Sequence, residues 1–266
     1  MNSSNTHIAH IARKRFGQNF LQDDNIIASI VHAINPSDKD CLTEIGPGLA
    51  ALTEPLLKNI SHMHVVELDR DLVARLQQRF TPEQLTIHST DALKFDFLSI
   101  PAEGKTRKVV GNLPYNISSP LLFHLVEFAP HIDMQVFMLQ KEVIERMVAA
   151  PATKAYGRLS VMLQYRYEMT HLFDVPPHAF VPAPKVTSAV VRMLPRKPEQ
   201  LLAKDEAHLS KLVALAFSQR RKMLRNTLAE MVTQEQLIAC DIAPTARAEE
   251  VSVAKFVQLS NFVLMQ

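Results

Sequence analysis

The sequence has little cysteine: among its 266 residues only Cys41 and Cys240 carry a thiol. The two lie far apart, with no CxxC motif and no Cys/His ligand spacing, so they predict buried free thiols in a reducing compartment. The closest pair of its eleven histidines, His62 and His64, alternates along an expected strand with no third ligand nearby. We therefore expect no metal site.

Long hydrophobic runs and an excess of one charge are also absent. No run reaches the roughly 18 apolar residues that cross a bilayer, and the N-terminal MNSSNTHIAHIARKRF lacks a long apolar core before a cleavage site. These absences predict a cytoplasmic protein without a membrane partner. Because 29 basic residues face 27 acidic ones, a nucleic-acid partner must be argued from where the charges lie.

Short β-branched runs alternate with helix-period segments from about residue 24 to residue 150. The alternation predicts right-handed βαβ units in a mostly parallel, doubly wound α/β sheet. Asp23 or Asp24 is expected to cap the first helix, and a later helix is expected to open at Ser119 with Pro120 at its first position. YRYEMTHLF and KVTSAVVRML predict an antiparallel pair at one sheet edge.

The proline-rich segment PRKPEQ, residues 195–200, is typical of a linker, and the pattern beyond it is helical to the end. We expect a catalytic α/β domain over residues 1–197 and a small helical domain over residues 198–266. The length also permits a single unit.

Three consecutive strand ends carry residues suited to a nucleoside. In TEIGPGLAALTE, Gly46 and Gly48 let the backbone turn tightly and approach a ligand. Glu67 ends the second strand, about 20 residues later, where a carboxylate can accept hydrogen bonds from both ribose hydroxyls. Asp91 follows the third strand, where it could accept from an adenine amine. A plain strand-to-helix turn is the alternative for the glycines alone.

A nicotinamide cofactor would also suit the glycines and Glu67. However, the chain lacks a complete G-x-G-x-x-G/A turn, and no hydride-handling group follows the fourth strand. That strand ends instead in NLPY, residues 112–115, which should face the same crevice because ligands lie beyond the carboxyl ends of the strands.

The NLPY segment can activate an exocyclic amine of a base. If the Asn112 side-chain oxygen and the Leu113 carbonyl both accept hydrogen bonds from the amine, its lone pair turns out of the ring plane toward an electrophile. Pro114 stiffens the loop, and Tyr115 offers a face for stacking the base. The alternative is a simple turn with Tyr115 packed in the core.

Six motifs occur in an order that resembles the ribosomal RNA adenine N6-dimethyltransferases: RFGQNFL, EIGPG, VELD, DAL, NLPYNIS and FVPAPKVTSAVV. The C-terminal AFSQRRKMLRN resembles the branch that modifies small-subunit RNA in bacteria. The resemblance covers nearly the whole chain. It implies a Rossmann-like methyltransferase sheet that uses S-adenosyl-L-methionine to dimethylate two adjacent adenosines in a 3′-terminal hairpin of 16S ribosomal RNA. The implied partner is the small ribosomal subunit or its assembly intermediate, bound by a monomer with a role in subunit biogenesis.

The resemblance also implies roles for individual residues. Donor contacts fall on Asn19, Leu21, Gly46, Glu67, Asp91 and Asn112, whereas Tyr115 and Phe180 would sandwich the target base. The chain departs from the family in carrying Ala50 and Thr90 where glycine is usual or frequent. A methyl group at a left-handed position would cost about 1 to 2 kcal/mol, and at ordinary backbone angles it would cost little.

The stretch from Lys211 through Ala229 carries cations and no acidic residue. Its apolar spacing predicts one helix whose cations point outward, and the one-sided charge favours an RNA-phosphate surface over a merely solvated face. The proposed RNA contacts are Arg220, Arg221, Lys222 and Arg225, with Arg220 near the apolar stripe, where it could instead hold the helix to the main domain. Further cations flank the expected pocket: Arg13, Lys14, Arg15, Lys105, Arg107 and Lys108.

The sequence leaves two other functions open. The antibiotic-resistance relatives that methylate large-subunit RNA share the N-terminal motifs, so only the C-terminal segment favours the small-subunit enzyme. A non-catalytic assembly or transcription factor could keep the fold to bind RNA. The intact NLPY segment counts against that alternative, because a binding protein needs no preset acceptors for an amine.

Overall fold

The computed structural model describes residues 19–265, in which strands and helices alternate as the sequence predicts. The strands are β1 (Phe20–Leu21), β2 (Asp40–Ile45), β3 (Met63–Glu67), β4 (Leu85–Ser89), β5 (Thr106–Asn112), β6 (Met134–Gln140), β7 (Tyr167–Val175), β8 (Phe180–Val181) and β9 (Ser188–Pro195). The α-helices are α1 (Asp24–Ile34), α2 (Thr53–Leu57), α3 (Arg70–Arg79), α4 (Ser118–Phe128), α5 (Lys141–Met147), α6 (Arg158–Arg166), α7 (Glu206–Ala216), α8 (Leu224–Thr227), α9 (Gln234–Ala239) and α10 (Val253–Val263).

Seven strands form one sheet in the order β4-β3-β2-β5-β6-β9-β7. β2 to β6 are parallel to their neighbours among themselves, and β9 is antiparallel to both β6 and β7. The predicted mostly parallel sheet with an antiparallel edge is therefore confirmed. The strand order reverses between β2 and β5, the switch point at which open α/β sheets bind ligands.

A second, two-stranded sheet joins β1 to β8, with Phe20 opposite Val181 and Leu21 opposite Phe180. No pattern in the sequence predicts this pairing. It brings the start of the described chain against the segment that links β7 to β9. Residues 19–21 are thereby held beside the carboxyl ends of the main strands.

Local chemistry fixes where the first helices begin. The carboxylate of Asp23 accepts hydrogen bonds from the backbone N–H groups of Asn25 and Ile26, so Asp23 and not Asp24 is the cap of α1. The expected start of α4, with Pro120 as its first residue, is wrong by two residues, because the helix begins at Ser118. Pro120 is then the third helical residue, where its missing N–H costs no intrahelical bond.

The two faces of the main sheet are covered by separate apolar clusters, since successive side chains of a strand point to opposite faces. On β2, Cys41 and Ile45 lie in one cluster and Leu42 in the other. Cys41 and Cys240 are both buried and free, as predicted. No helix within residues 19–265 is long and apolar enough to span a bilayer.

A third apolar cluster joins α6 and the segment before it to α7–α10. Tyr156 is buried there, and its hydroxyl donates to the Val251 carbonyl at 2.9 Å. Arg166 of α6 forms an ion pair with Glu206 of α7. The boundary between residues 197 and 198 stays a prediction, and this cluster includes residues from both sides of it.

The basic C-terminal stretch is not one helix, so that prediction is wrong. α7 ends at Ala216, and the Ser218 hydroxyl donates to the Leu215 carbonyl at 2.7 Å, a side-chain bond that competes with helix continuation. The chain then turns, with the Lys222 N–H donating to the Gln219 carbonyl. Arg220, Arg221 and Lys222 therefore lie on the turn between α7 and α8, whereas Arg225 lies on α8.

Gly111 allows the carboxyl ends of β2 and β5 to approach closely. A Cβ atom at this position would lie 2.4 Å from the backbone carbonyl oxygen of Ile45, closer than any Cβ contact tolerates. The obstacle is backbone within the sheet, so it cannot move aside as a flexible side chain would. Glycine is required here by space rather than by a positive φ.

We expect Gly111→Ala to lower the free energy of unfolding by about 1 to 3 kcal/mol, because the extra methyl group overpacks the sheet. Urea denaturation measures the loss. Gly157→Ala is the matched control, since no atom lies within 4 Å of its added Cβ and its backbone is extended. Equal stability of the two variants would show that the strand contact at Gly111 relaxes freely.

Candidate active site

A cavity of about 310 Å³ opens at the carboxyl ends of the central parallel strands. The turn after β2 brings Gly46 to it, β3 ends in Glu67, Asp91 follows β4, and β5 ends in Asn112. These predicted residues come from distant parts of the sequence and line the same cavity. Its volume lies at the lower end of the range of small-molecule sites.

The turn after β2 has three residues with left-handed backbone: φ is 65° at Gly46, 57° at Gly48 and 70° at Ala50. A Cβ atom added at Gly46 would lie 3.7 Å from the Asn112 carbonyl oxygen, and one added at Gly48 would lie 3.4 Å from the Phe20 ring, both at ordinary van der Waals distance. The turn therefore lies close to the β5 loop on one side and to β1 on the other.

Ala50 has the left-handed conformation in which its methyl group is unfavourable by about 1 to 2 kcal/mol. Its side chain is only 1% exposed and packs in the apolar cluster with Leu52 and Leu56. Burial of a methyl group is worth about 0.8 kcal/mol and so offsets part of the backbone cost. Thr90, the other departure, lines the cavity, and its N–H donates to the Glu67 carbonyl.

Glu67 is held in a fixed orientation by backbone groups. One carboxylate oxygen accepts from the Asp69 N–H at 2.8 Å, and the other from the Gly48 N–H at 3.4 Å. Burial raises the pKa of Glu67, and these two hydrogen bonds act in the opposite direction. A carboxylate so placed at a cavity wall can accept hydrogen bonds from ligand hydroxyls.

Glu44, which the sequence analysis did not select, is a second carboxylate at the cavity. It is 1% exposed on β2, and it accepts a 2.6 Å hydrogen bond from the Thr53 hydroxyl. Burial, and to a lesser extent the charge of Glu67, raises the pKa of Glu44 to about 7, against the lowering effect of the Thr53 bond. The only sequence signal for Glu44 is its position as an acidic residue in a predicted apolar strand, CLTEIG.

Asp91 lines the cavity beyond β4, where its Oδ1 accepts from the Leu93 N–H at 3.0 Å. This bond closes a local turn and fixes the side chain. Asn19 and Leu21, the other predicted donor contacts, also line the cavity because the β1–β8 pair holds them there.

The NLPY loop is anchored at three points. Asn112 Nδ2 donates to the Asn19 carbonyl oxygen at 3.2 Å, which orients the amide and leaves Oδ1 as its acceptor. Leu113 is 1% exposed, and its N–H donates to the Met138 carbonyl on β6. The Tyr115 hydroxyl shares a 2.6 Å hydrogen bond with the buried Ser188 hydroxyl on β9. Pro114 also lines the cavity.

Phe180 is not placed beside the cavity. Its side chain is 2% exposed and packs in the apolar cluster that contains Leu21 and Val190. Tyr115 does line the cavity and is half-buried. The sandwich of a base between these two rings stays a prediction, and in this structure β8 places Phe180 in the core.

The predicted RNA contacts divide into two groups. Arg220 forms an ion pair with Glu249 and donates to the Lys154 carbonyl, so it connects the turn to the segment before α6. Arg221, Lys222 and Arg225 are exposed, and no ion pair with a residue of the described chain engages them. The side chains of these three residues are available to bind phosphates.

Two of the cations that were predicted to flank the pocket are not available to contact RNA. Arg107 is buried and donates to the Phe97 carbonyl, and Lys108 is buried in an ion pair with Asp40 at 2.8 Å. Both stabilise the sheet and cannot form a phosphate surface. Lys105 is exposed. Arg13, Lys14 and Arg15 lie outside the described residues.

A doubly wound sheet of this strand order, with a glycine turn after β2 and carboxylates after β3 and β4, defines the Rossmann-like methyltransferase class. The antiparallel β7–β9 edge fits the same class. The chain belongs to the ribosomal RNA adenine dimethylase family, whose family model matches residues 9–264.

Individual relatives agree with this assignment. The chain is 59% identical over 254 residues to the ribosomal RNA small subunit methyltransferase A of Aromatoleum aromaticum, which covers 96% of this chain and 95% of the relative. It is 58% identical to the protein of the same name from Herminiimonas arsenicoxydans, over 95% of this chain and 98% of the relative.

Among solved structures, a dimethyladenosine transferase from Plasmodium falciparum is similar with a TM-score of 0.76 and 25% identity, over 90% of this chain and 95% of that one. The 23S rRNA methyltransferase ErmE shares the fold with a TM-score of 0.68 and 24% identity, over 92% of this chain and 99% of that one.

The Tyr115–Ser188 hydrogen bond should stabilise the loop. We expect Tyr115→Phe and Ser188→Ala each to lower the free energy of unfolding by about 1 kcal/mol, because each removes one partner of the same partly buried hydrogen bond. The double variant should lose little more than either single one. Thermal denaturation of all four proteins gives the coupling energy. Additive losses would show that the two hydroxyls act independently.

Proposed function

We propose that this enzyme transfers methyl groups from S-adenosyl-L-methionine to the N6 amines of two adjacent adenosines in the 3′-terminal hairpin of small-subunit ribosomal RNA. The observation that carries the proposal is the cavity itself. It places the Gly46 turn and the Glu67 carboxylate on one side, and the anchored Asn112 on the other.

The donor side fits a nucleoside with a charged tail. Glu67 has its carboxylate oriented by two backbone N–H groups, ready for two ribose hydroxyls. The left-handed turn keeps side chains away from the cavity floor at Gly46 and Gly48. Asn19, Leu21 and Asp91 complete this wall. When bound, the donor would supply an electrophilic methyl group on a positively charged sulfur.

The acceptor side prepares a weak nucleophile. The Asn112 Nδ2 is engaged with the Asn19 carbonyl, so Oδ1 can accept a hydrogen bond from the target amine. With the Leu113 carbonyl as a second acceptor, the amine would lose conjugation with its ring and expose its lone pair. The Tyr115 ring would support the base, with its hydroxyl held by Ser188. The amine becomes acidic as it is methylated and sheds its proton without a strong general base.

The RNA is proposed to meet the turn between α7 and α8. Arg221 and Lys222 on this turn, and Arg225 on α8, are exposed and have no ion pair with an acidic side chain of the described chain. The target base must leave its stack to enter the cavity, at a cost offset by contacts to the RNA backbone and to Tyr115. We further propose that the enzyme acts in the cytoplasm as a monomer on a small-subunit assembly intermediate.

Labelled S-adenosylmethionine tests the proposal directly. The protein is incubated with unmethylated small subunits or with large subunits, and the labelled nucleotides are then located. We expect label on two adjacent adenosines of the small-subunit RNA. Label confined to large-subunit RNA would assign the chain to the other substrate, and no transfer to either would exclude the enzymatic proposal.

Asn112→Ala should reduce methyl transfer far more than RNA binding, because the amide acts on the reacting amine. Loss of a positioned acceptor of this kind lowers kcat by about 10² to 10³. Single-turnover kinetics and filter binding measure the two effects. Asn59→Ala, at an exposed asparagine just after α2, is the control and should behave as wild type. Equal losses of transfer and RNA binding for Asn112→Ala would point to a structural asparagine.

Arg221→Ala with Lys222→Ala should weaken subunit binding most at low salt and leave donor affinity unchanged. Each lost phosphate contact reduces the slope of log affinity against log salt by about 0.7 to 0.9. Lys39→Ala with Lys58→Ala is the matched control, since both lysines are exposed and Lys39 precedes β2 at the far end of the sheet. A wild-type salt slope in the Arg221/Lys222 variant would show that this turn is a solvated surface that makes no phosphate contact.

A further inference from the structure

Two buried carboxylates face the cavity without a cation that neutralises them among residues 19–265. Glu44 is 1% exposed, Glu67 is 8% exposed, and both line the cavity. Glu44 accepts from the Thr53 hydroxyl, whereas Glu67 accepts from backbone N–H groups. Such neutral donors satisfy the oxygens but leave the charges uncompensated. The cavity therefore favours a cationic ligand.

Charged groups on the elements around Glu44 are engaged elsewhere. Asp40 and Lys108 pair with each other at the opposite end of β2. On α2, Glu54 pairs with Arg79 of α3. Beyond β3, Asp69 caps α3 and accepts from the Asp71 N–H. Within the described chain, Glu67 is thus the charged side chain that acts on Glu44 across the cavity wall.

We propose that Glu44 is the residue through which the cavity distinguishes the cationic methyl donor from its neutral spent form. This inference rests on the proposed function. The sulfur of the donor is a positively charged sulfonium before transfer and a neutral thioether after the methyl group has left. The two ligands therefore differ by one positive charge, in a cavity lined by a carboxylate that is 1% exposed. A buried carboxylate attracts the first and loses that attraction once the methyl group is gone.

A proton links this preference to pH. The pKa of Glu44 is about 7 in the donor-free protein, so near neutral pH the carboxyl group carries a proton in part of the molecules. A cation beside it favours the ionised form and lowers its pKa, so binding of the donor releases that proton to solvent. The complex then holds fewer protons than the free protein. Donor affinity should therefore rise as pH increases through about 7, whereas affinity for the neutral form should not.

Calorimetric titration with S-adenosylmethionine and S-adenosylhomocysteine tests the proposal in wild type and Glu44→Gln. The glutamine keeps an oxygen for the Thr53 hydroxyl but carries no charge. We expect wild-type affinity for S-adenosylmethionine to rise about tenfold between about pH 6 and about pH 8. Glu44→Gln should lose this rise and bind S-adenosylmethionine about tenfold more weakly at the higher pH, with affinity for S-adenosylhomocysteine within about twofold of wild type. Protonation of the ligands themselves affects wild type and Glu44→Gln equally, so it drops out when the two proteins are compared.

Two further variants isolate the charge of Glu44. Thr53→Val keeps the side-chain shape but removes a bond that lowers the pKa of Glu44, so the rise in donor affinity should move to higher pH. Glu54→Gln is the matched control, because Glu54 is an exposed carboxylate one position along α2, and it should titrate as wild type.

The outcomes separate the inference from the function on which it rests. A Glu44→Gln protein that keeps the wild-type preference and pH dependence would overturn the role of Glu44 while leaving the donor site intact. If Glu44→Gln does not fold, an unshifted pH dependence in Thr53→Val overturns it instead. Wild-type protein that binds neither ligand would contradict the proposed function itself.

Discussion

The close approach of β2 and β5 is the constraint on which the rest of the site depends. No side chain fits between Gly111 and the Ile45 carbonyl, so the backbones of these two strands meet directly where the strand order reverses. The next residues along the chain are Gly46 and Asn112, and a Cβ atom added at Gly46 would be in van der Waals contact with the Asn112 carbonyl oxygen, at 3.7 Å. A glycine without a positive φ therefore brings the two halves of the cavity together.

The two halves of the cavity differ in charge. Glu44, Glu67 and Asp91 form an acidic wall, whereas Asn112 and Tyr115 on the other side are polar and neutral. Under the proposed function this division suits the reactants, because the donor is cationic and the target amine is not. The neutral side holds its groups by hydrogen bonds to backbone and to Ser188, so its orientation does not depend on ionisation.

Much of this arrangement could be predicted from the sequence because it follows from local patterns. The alternation of strand and helix segments predicted the sheet, and the residues after four strand ends predicted where the cavity lies. The β1–β8 pair could not be predicted, since two-residue strands carry no periodicity and their partners are distant in the chain. That pair also holds Phe180 in the core, opposite Leu21.

Charged residues were the least predictable. Lys108 on β5 is buried because its partner Asp40 lies on the neighbouring strand β2. No local sequence pattern shows this pairing. Glu44 was missed because an acidic residue within an apolar strand has no signal that separates a structural role from a functional one. The break after Ala216 depends on the Ser218 hydroxyl, whose competition with the helix becomes apparent only from its bond to Leu215.

The apolar cluster shared by α6 and α7–α10 limits how such a chain can change during evolution. Tyr156 and Met162 belong to that cluster, and α6 continues without a break into β7 at the sheet edge. Recombination at the proline-rich segment 195–200 would separate the C-terminal helices from part of their own core. A crossover before Ala149 would keep the buried residues of that core together, but it would carry the β7–β9 edge with it. A new C-terminal helical segment is thus most easily inherited together with one side of the sheet.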